Sequence, residues 1–181
     1  MSVTDYTDLI TRAAARYNVP AALIAGIIQA ESQGNPNAVN LTGGDLTRGG
    51  SYGLMQMSAD TAAALGFSGT TDDLLDPATN IDLGTHYLAD LLAQTNGNIP
   101  AAVSGYNAGL SSVRTGDGQR VGNTGTDADL STPFINQAYV DEVVGYMNNF
   151  VATFPGGATG LGVVGLVVLL GAVLLFRAVS R

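Results

Sequence analysis

Residues 19–39 read VPAALIAGIIQAESQGNPNAV, and the architecture is decided in this stretch. Pro20 suits a helix start, the run to Ser32 contains no strong breaker, and Gly34 and Pro36 stop it. Within it Ile24, Ile27, Ile28 and Glu31 fall at i, i+3, i+4 and i+7, so Glu31 extends the apolar stripe instead of lying on the polar face. Desolvation at such a place disfavours the carboxylate, and the negative end of the helix dipole is a residue or two away. Both raise its pKa. A carboxyl that keeps its proton near neutral pH is what a general acid needs. The same spacing also accommodates a glutamate at the helix end that turns out into solvent.

Composition narrows the chemistry around that glutamate. The chain has 181 residues and a net charge of -8, from seven basic residues, all arginine, against fifteen acidic ones. Hydrophobic residues make up 46% and charged residues 12%, the reverse of a disordered acidic chain, so a packed core is expected. With no cysteine there is no disulfide scaffold, thiolate nucleophile or Cys-based metal site. A single histidine, His86, excludes a His-rich centre, so no metal and no cofactor are expected. The acidic balance argues against a nucleic-acid partner, which would require a basic footprint. Only Glu31 and Glu142 are glutamates, beside thirteen aspartates.

Outward from the central stretch the chain reads as helices punctuated by caps. Tyr6, Leu9, Ile10, Ala13 and Tyr17 have helical spacing over 5–17. Residues 35–52, rich in Asn, Gly, Thr and Asp, read as a loop, and Ser58 caps a short helix ending before Gly66. Asp76-Pro77 opens a longer helix to about Thr95, and Pro100 opens another through Asn107, closed by Gly109. Residues 115–131 are rich in Gly, Asp and Thr and read as a mobile segment. Thr132-Pro133 is then expected to start a last helix bearing Val140, Val143, Val144, Met147, Phe150, Val151 and Phe154. No alternating strand pattern and no internal repeat is visible, so the fold class is mainly α.

The end of the chain differs in kind. No charged residue lies between Glu142 and Arg177, and Ala158 to Phe176 is nearly all Gly, Val, Leu and Ala. Nineteen such residues in a helix span about 28 Å, close to the hydrocarbon thickness of a bilayer. A soluble helix needs a polar face, and this one has none. The expected division is therefore a domain over 1–154, a Pro-Gly-Gly linker at 155–157, a transmembrane helix over 158–176, and a short basic tail over 177–181. Six glycines from Gly156 to Gly171, with one GxxxG match at 156–160, would let helices approach closely. Arg177 and Arg181 favour a cytoplasmic C-terminus, whereas residues 1–18 show no secretory signal pattern.

Four motifs in order give the domain a family likeness. Ala30-Glu31-Ser32-Gln33-Gly34-Asn35-Pro36-Asn37-Ala38-Val39 resembles the first motif of the soluble lytic transglycosylases, lysozyme-like enzymes that cleave peptidoglycan glycan strands. Gly53-Leu54-Met55-Gln56-Met57 resembles the second, and Gly105-Tyr106-Asn107-Ala108-Gly109 the third. Asp76-Pro77 through Asn80-Ile81, Gly84 and Tyr87-Leu88 resembles the intervening helix. Tyr139-Val140 with Val143 and Tyr146 resembles the last motif. The likeness covers about Val19 to Tyr146.

This resemblance implies a mainly α, lysozyme-like catalytic domain with a sugar-binding groove, followed here by the apolar segment. It implies that Glu31 is the catalytic acid and base, that Ser32 helps to orient its carboxyl, and that Gln56 and Met55 line the groove. Tyr106 and Asn107 would lie near the glutamate and the bound sugar, and Tyr139 would form a further wall. The residues alone allow duller readings: Met55 as core, Tyr139 as helix packing, Ser32 as a turn cap. The implied reaction uses the muramic acid's own 6-hydroxyl as nucleophile, giving a 1,6-anhydro ring. Tethering the nucleophile gives a large effective molarity, so one carboxyl can serve where ordinary glycosidases use two.

Departures from the family pattern bear on the details. Ser58-Ala59 stands where Met-Pro is common, Gly105 where alanine is usual, and Asn136-Gln137-Ala138 where many members carry Glu-Thr-Arg. The stretch 40–52, with Asp45 and Arg48, looks long. A muramidase of the goose-lysozyme type is the nearest rival, with water as nucleophile and Asp45 or Asp82 as second acid. A catalytically idle wall-binding or structural membrane protein is the other, against which the joint presence of Glu31, Gln56, Tyr106 and Asn107 argues. The expected partners are peptidoglycan strands, a lipid membrane at 158–176 and other virion proteins. A wall-cleaving domain without an export signal and with a terminal apolar helix fits a bacteriophage virion, most sharply one that contains a membrane; a bacterial tail-anchored enzyme exported by an unusual route is the alternative.

Overall fold

The computed structural model describes residues 1–42, 49–110 and 134–154. Six α-helices are found there: α1 (Thr7–Tyr17), α2 (Ala21–Ser32), α3 (Ala59–Ala64), α4 (Pro77–Gln94), α5 (Ile99–Ala108) and α6 (Gln137–Phe150). Short 3-10 turns at Val3–Tyr6 and Asp73–Leu75 precede α1 and α4. The mainly α architecture expected from the sequence is the one observed.

Helix α2 is the centre of the molecule because its sequence is apolar on every side. Ala21 to Ile28 are all buried, and Leu23, Ile24, Ile27 and Ile28 are fully so. Removing side chains of that size from water stabilises the fold by about 1.5–3 kcal/mol each. Its most extensive partner is α6, which presents Val140, Val143 and Met147 to it. The two backbones meet at Gly26, where a Cβ would stand 2.9 Å from the Val143 carbonyl oxygen and 3.0 Å from the Met147 nitrogen. Helix α4 packs against α1 and α5, with Ile81, Leu88 and Leu91 buried.

Side-chain caps fix where α3, α4 and α5 begin. Ser58 accepts from the Thr61 N–H at 3.1 Å, Asp76 from Thr79 at 2.8 Å and Asn98 from Ala101 at 3.0 Å. Helix α2 ends as Gln33 enters the left-handed region at φ 55.

Two expectations are corrected. Residues 35–52 are not all loop: β1 (Val39–Asn40), β2 (Ser51–Tyr52) and β3 (Met57–Ser58) form an antiparallel sheet in the order β1-β2-β3. Strands of two residues are too short to show alternation. The last helix begins at Gln137 and not at the Thr132-Pro133 pair, which lies outside the described residues. Buried Phe134 precedes it, with its N–H donating to Gln137 Oε1 at 2.9 Å, so the chain turns there before winding into helix. Residues 115–131, Asp45, Arg48 and the apolar segment 158–176 also lie outside the described residues. Among those described, no helix is long and apolar enough to cross a membrane.

Candidate active site

Glu31 lies in the last turn of α2, half-buried, in the wall of a groove that is open to solvent. The groove runs between the small sheet, the C-terminal ends of α2 and α5 and the middle of α4, and Gln56, Tyr87, Tyr106 and Asn107 share its lining. Glu31 is the one carboxylate in that lining among the described residues. It therefore faces the cavity and does not turn away to bulk solvent.

Tyr139, in the first turn of α6, donates its phenol proton to Glu31 Oε1 at 2.5 Å. Burial pushes this phenol well above its ordinary pKa, and the Glu31 charge and the hydrogen bond to it push the same way. Tyr106 is likewise raised well above 10.0, first by burial and then by the Glu31 charge. Both phenols are therefore neutral donors at any physiological pH. Tyr106 and Tyr87 hold their rings 5.3 Å apart at 48°, an aromatic surface in a chain that has no tryptophan.

The segment Gly53–Gln56 crosses beneath the glutamate, and side chains from three helices hold it. Ser32 Oγ on α2 donates to the Leu54 carbonyl at 2.7 Å. Tyr106 on α5 donates to the Met55 carbonyl at 2.9 Å. Asn80 on α4 is fully buried; its Nδ2 donates to the carbonyls of Tyr52 (2.8 Å) and Leu74 (2.7 Å), while its Oδ1 accepts the Met55 N–H at 2.7 Å. Gly53 is required here: at φ +76, a Cβ would stand 2.4 Å from Asn80 Nδ2 and 2.5 Å from the Leu74 carbonyl oxygen.

Gln56 adopts φ 47, sparsely populated for a residue with a side chain. Its Nε2 donates to the carbonyls of Ala38 (3.1 Å) and Gly53 (3.0 Å). Both amide hydrogens are thereby used, which leaves Oε1 as the end that can meet a ligand.

The structure brings Glu31, Gln56, Tyr106 and Asn107 to one groove and ties Tyr139 to the glutamate. Ser32 meets the second motif through the Leu54 carbonyl, so its influence on Glu31 runs through the end of α2. Met55 is a correction. Its side chain is fully buried beneath Gly84, and only its backbone carbonyl meets a groove residue; Met57, two residues on, supplies the lining. Asp82 accepts from Arg16 and from the Tyr17 phenol, both at 2.9 Å, on the α1–α4 surface, and is not part of the lining. Asp45 lies outside the described residues.

Asn40, Ser51, Ser58, Thr61 and Tyr87 also line the groove, and the sequence had not marked them as site residues. Tyr87 had a signal: it follows Asn80 and Gly84 at i+7 and i+3, on one face of α4. The others come from the turn-rich stretch around the sheet, where no periodicity marks a face. Among the described residues no group of His, Asp and Glu could hold a metal ion.

Comparison with known proteins bears on this groove. Residues 8–128 match the family model described as the transglycosylase SLT domain. Membrane-bound lytic murein transglycosylase C of Haemophilus influenzae is 36% identical over 145 residues, covering 76% of this chain and 39% of its own length. The protein of that name from Edwardsiella ictaluri is 38% identical over 122 residues, covering 60% of this chain and 32% of its own. The 70-kDa soluble lytic transglycosylase of Escherichia coli superposes with a TM-score of 0.63 at 25% identity, covering 87% of this chain and 26% of its own. The complex of the 70-kDa soluble lytic transglycosylase with bulgecin A gives 0.65 at 28% identity, with the same coverage. The chain thus spans about two fifths or less of the length of these relatives.

Proposed function

The chain belongs to the transglycosylase SLT domain family, and from that premise we propose that it is a peptidoglycan lytic transglycosylase with Glu31 as its acid and base. The observation that carries the reading is the Glu31–Tyr139 hydrogen bond at the groove wall. The phenol holds a carboxyl oxygen of Glu31 in place at the wall of the groove.

The glycan lies along the aromatic surface of Tyr87 and Tyr106, between Gln56 and Asn107. Glu31 gives its proton to the oxygen of the β-1,4 bond between N-acetylmuramic acid and N-acetylglucosamine, and the C1–O bond breaks. The resulting carboxylate takes the proton of the muramic 6-hydroxyl as O6 bonds to C1. The products are a free 4-hydroxyl and a 1,6-anhydro-muramyl end; no water is consumed, and Glu31 regains its proton. Tyr139, neutral throughout, donates most strongly while Glu31 is an anion, and so stabilises the state between the two transfers. Relatives bearing the words lytic murein transglycosylase support the substrate class. An inactive glutamate-to-glutamine mutant of a Pseudomonas aeruginosa lytic transglycosylase supports the need for one such carboxyl.

The same proposal includes a division at 155–157 and a bilayer anchor at 158–176, on the strength of the uncharged, apolar composition. Its setting is a bacteriophage particle that opens the wall locally for genome entry, where a wall-cleaving domain and a lipid anchor on one chain act together. Absence of the protein from purified particles would remove that setting.

The decisive experiment digests purified peptidoglycan with the full chain in mild detergent and reads the products by mass spectrometry. Anhydro-muramyl ends, lighter by one water than reducing ends and lost in Glu31→Gln, are expected. Reducing ends would make the enzyme a hydrolase of the goose-lysozyme kind.

A further inference from the structure

Asn136 occupies the N-cap of α6, where an asparagine side chain ordinarily accepts from its own helix's first turn. It makes no such cap. Its side chain crosses to α5 instead. Ser104 Oγ, on a fully buried residue, donates to Asn136 Oδ1 at 2.6 Å. Asn136 Nδ2 lies 3.1 Å from the Ser104 carbonyl oxygen and 3.1 Å from Asn107 Oδ1.

The Ser104 carbonyl settles which way these amides face. A carbonyl oxygen only accepts, so the Asn136 atom opposite it is the nitrogen. The same nitrogen confronts Asn107 and must meet an acceptor, so Asn107 turns its Oδ1 toward Asn136. The NH2 group is then at the other end of the Asn107 amide, on an exposed residue of the groove lining.

We infer that Asn136 is a positioning residue that fixes Asn107 as a hydrogen-bond donor to the groove, so that this subsite accepts an acceptor oxygen of the glycan, such as an N-acetyl carbonyl. The inference rests on the transglycosylase reading and deepens it by naming the group recognised at one wall.

The test is a double-mutant cycle on the full chain, with Asn136→Asp, Asn107→Ala and both together. Asn136→Asp keeps the shape but sets an acceptor against Asn107, whose amide then turns its NH2 away from the groove. Steady-state KM and kcat are read on isolated glycan strands. Affinity for the tetramer of N-acetylglucosamine, read by calorimetry, requires no turnover. Each single variant is expected to raise KM and weaken tetramer binding about tenfold with kcat within about twofold, and the double variant is expected to lose no more than either single. Melting temperatures establish that all variants are folded; if Asn136→Asp is not, Ser104→Ala, which frees the Asn136 amide, replaces it in the cycle.

Additive losses, a fall in kcat at unchanged KM, or wild-type behaviour of Asn136→Asp would overturn the assignment and leave the reaction standing. Coupled losses of tetramer binding in a wild-type protein that forms no anhydro ends would overturn the reaction and leave Asn136 in its role. No binding and no cleavage by the wild type would remove both.

Discussion

The phenol of Tyr139 meets the carboxyl of Glu31 at 2.5 Å although 108 residues separate them in the chain. Two helices, α2 and α6, bring them together, one from each end of the domain. A hydrogen bond to an ionised group contributes about 1.5–3 kcal/mol. If it is made mainly to the carboxylate between the two proton transfers, Tyr139→Phe is expected to lower kcat by about 10- to 100-fold with little change in KM. Glu31→Gln removes the proton itself and is expected to cost about 10²–10⁴-fold or more. Release of anhydro-muramyl products from glycan strands checks both, and equal rates for wild type and Tyr139→Phe would refute the phenol's part.

Alkaline pH gives an independent handle. Tyr139 and Tyr106 have folded-state pKa values raised well above 10.0, through burial first and the Glu31 charge second. An exposed tyrosine in the unfolded chain ionises near 10. Their stabilising contribution is thus complete below about pH 10 and is lost as pH rises through the higher folded values. In a titration of tyrosinate absorbance, at least two of the seven tyrosines are expected to ionise only as helical circular dichroism collapses. Tyr139→Phe should take one from that late group; reversible ionisation of all seven near pH 10 with helices intact would contradict the burial argument.

Asn80 is expected to be the most costly asparagine to remove. Its loss leaves the carbonyls of Tyr52 and Leu74 and the N–H of Met55 without their partner in the interior. Each stranded group costs about 1–3 kcal/mol, so Asn80→Ala should lower unfolding free energy by roughly 3 kcal/mol or more. Chemical denaturation measures this, and a change below about 1 kcal/mol would mean that water replaces the side chain.

Asp82 separates the two chemical readings. Its partners are Arg16 and the Tyr17 phenol, and Arg16 is a largely exposed residue. Asp82→Asn is expected to leave both the rate and the anhydro products unchanged and to shift stability by less than about 1 kcal/mol. Loss of activity in a folded Asp82→Asn protein would revive the two-carboxylate mechanism.

How far the sequence revealed this site depended on the kind of signal each residue carried. Glu31 was legible because it sits on an apolar helical stripe where a charge is out of place, and Ser58, Asp76 and Pro77 because caps are local chemistry. The expected mainly α class follows from the same periodicities. Met55 and Met57 could not be told apart in this way: both are buried, adjacent turns and a two-residue strand decide that Met57 and not Met55 borders the groove, and no periodicity spans so short a run. Asn136 was visible only as a departure from a family pattern. Its role comes from Ser104 and Asn107 on another helix, 32 and 29 residues away, and such pairings leave no trace in spacing.

Gly26 carries a further consequence. The acid rides on α2 and its phenol on α6, and the two helices touch backbone to backbone at this residue. The separation between acid and phenol is therefore inherited from a packing contact about 7.5 Å along α2 from Glu31. Even one added methyl group at position 26 would have to displace α6 from α2, and with it Tyr139 from Glu31. Reactivity in this domain is thus open to adjustment from its interior, by substitutions that never meet the glycan.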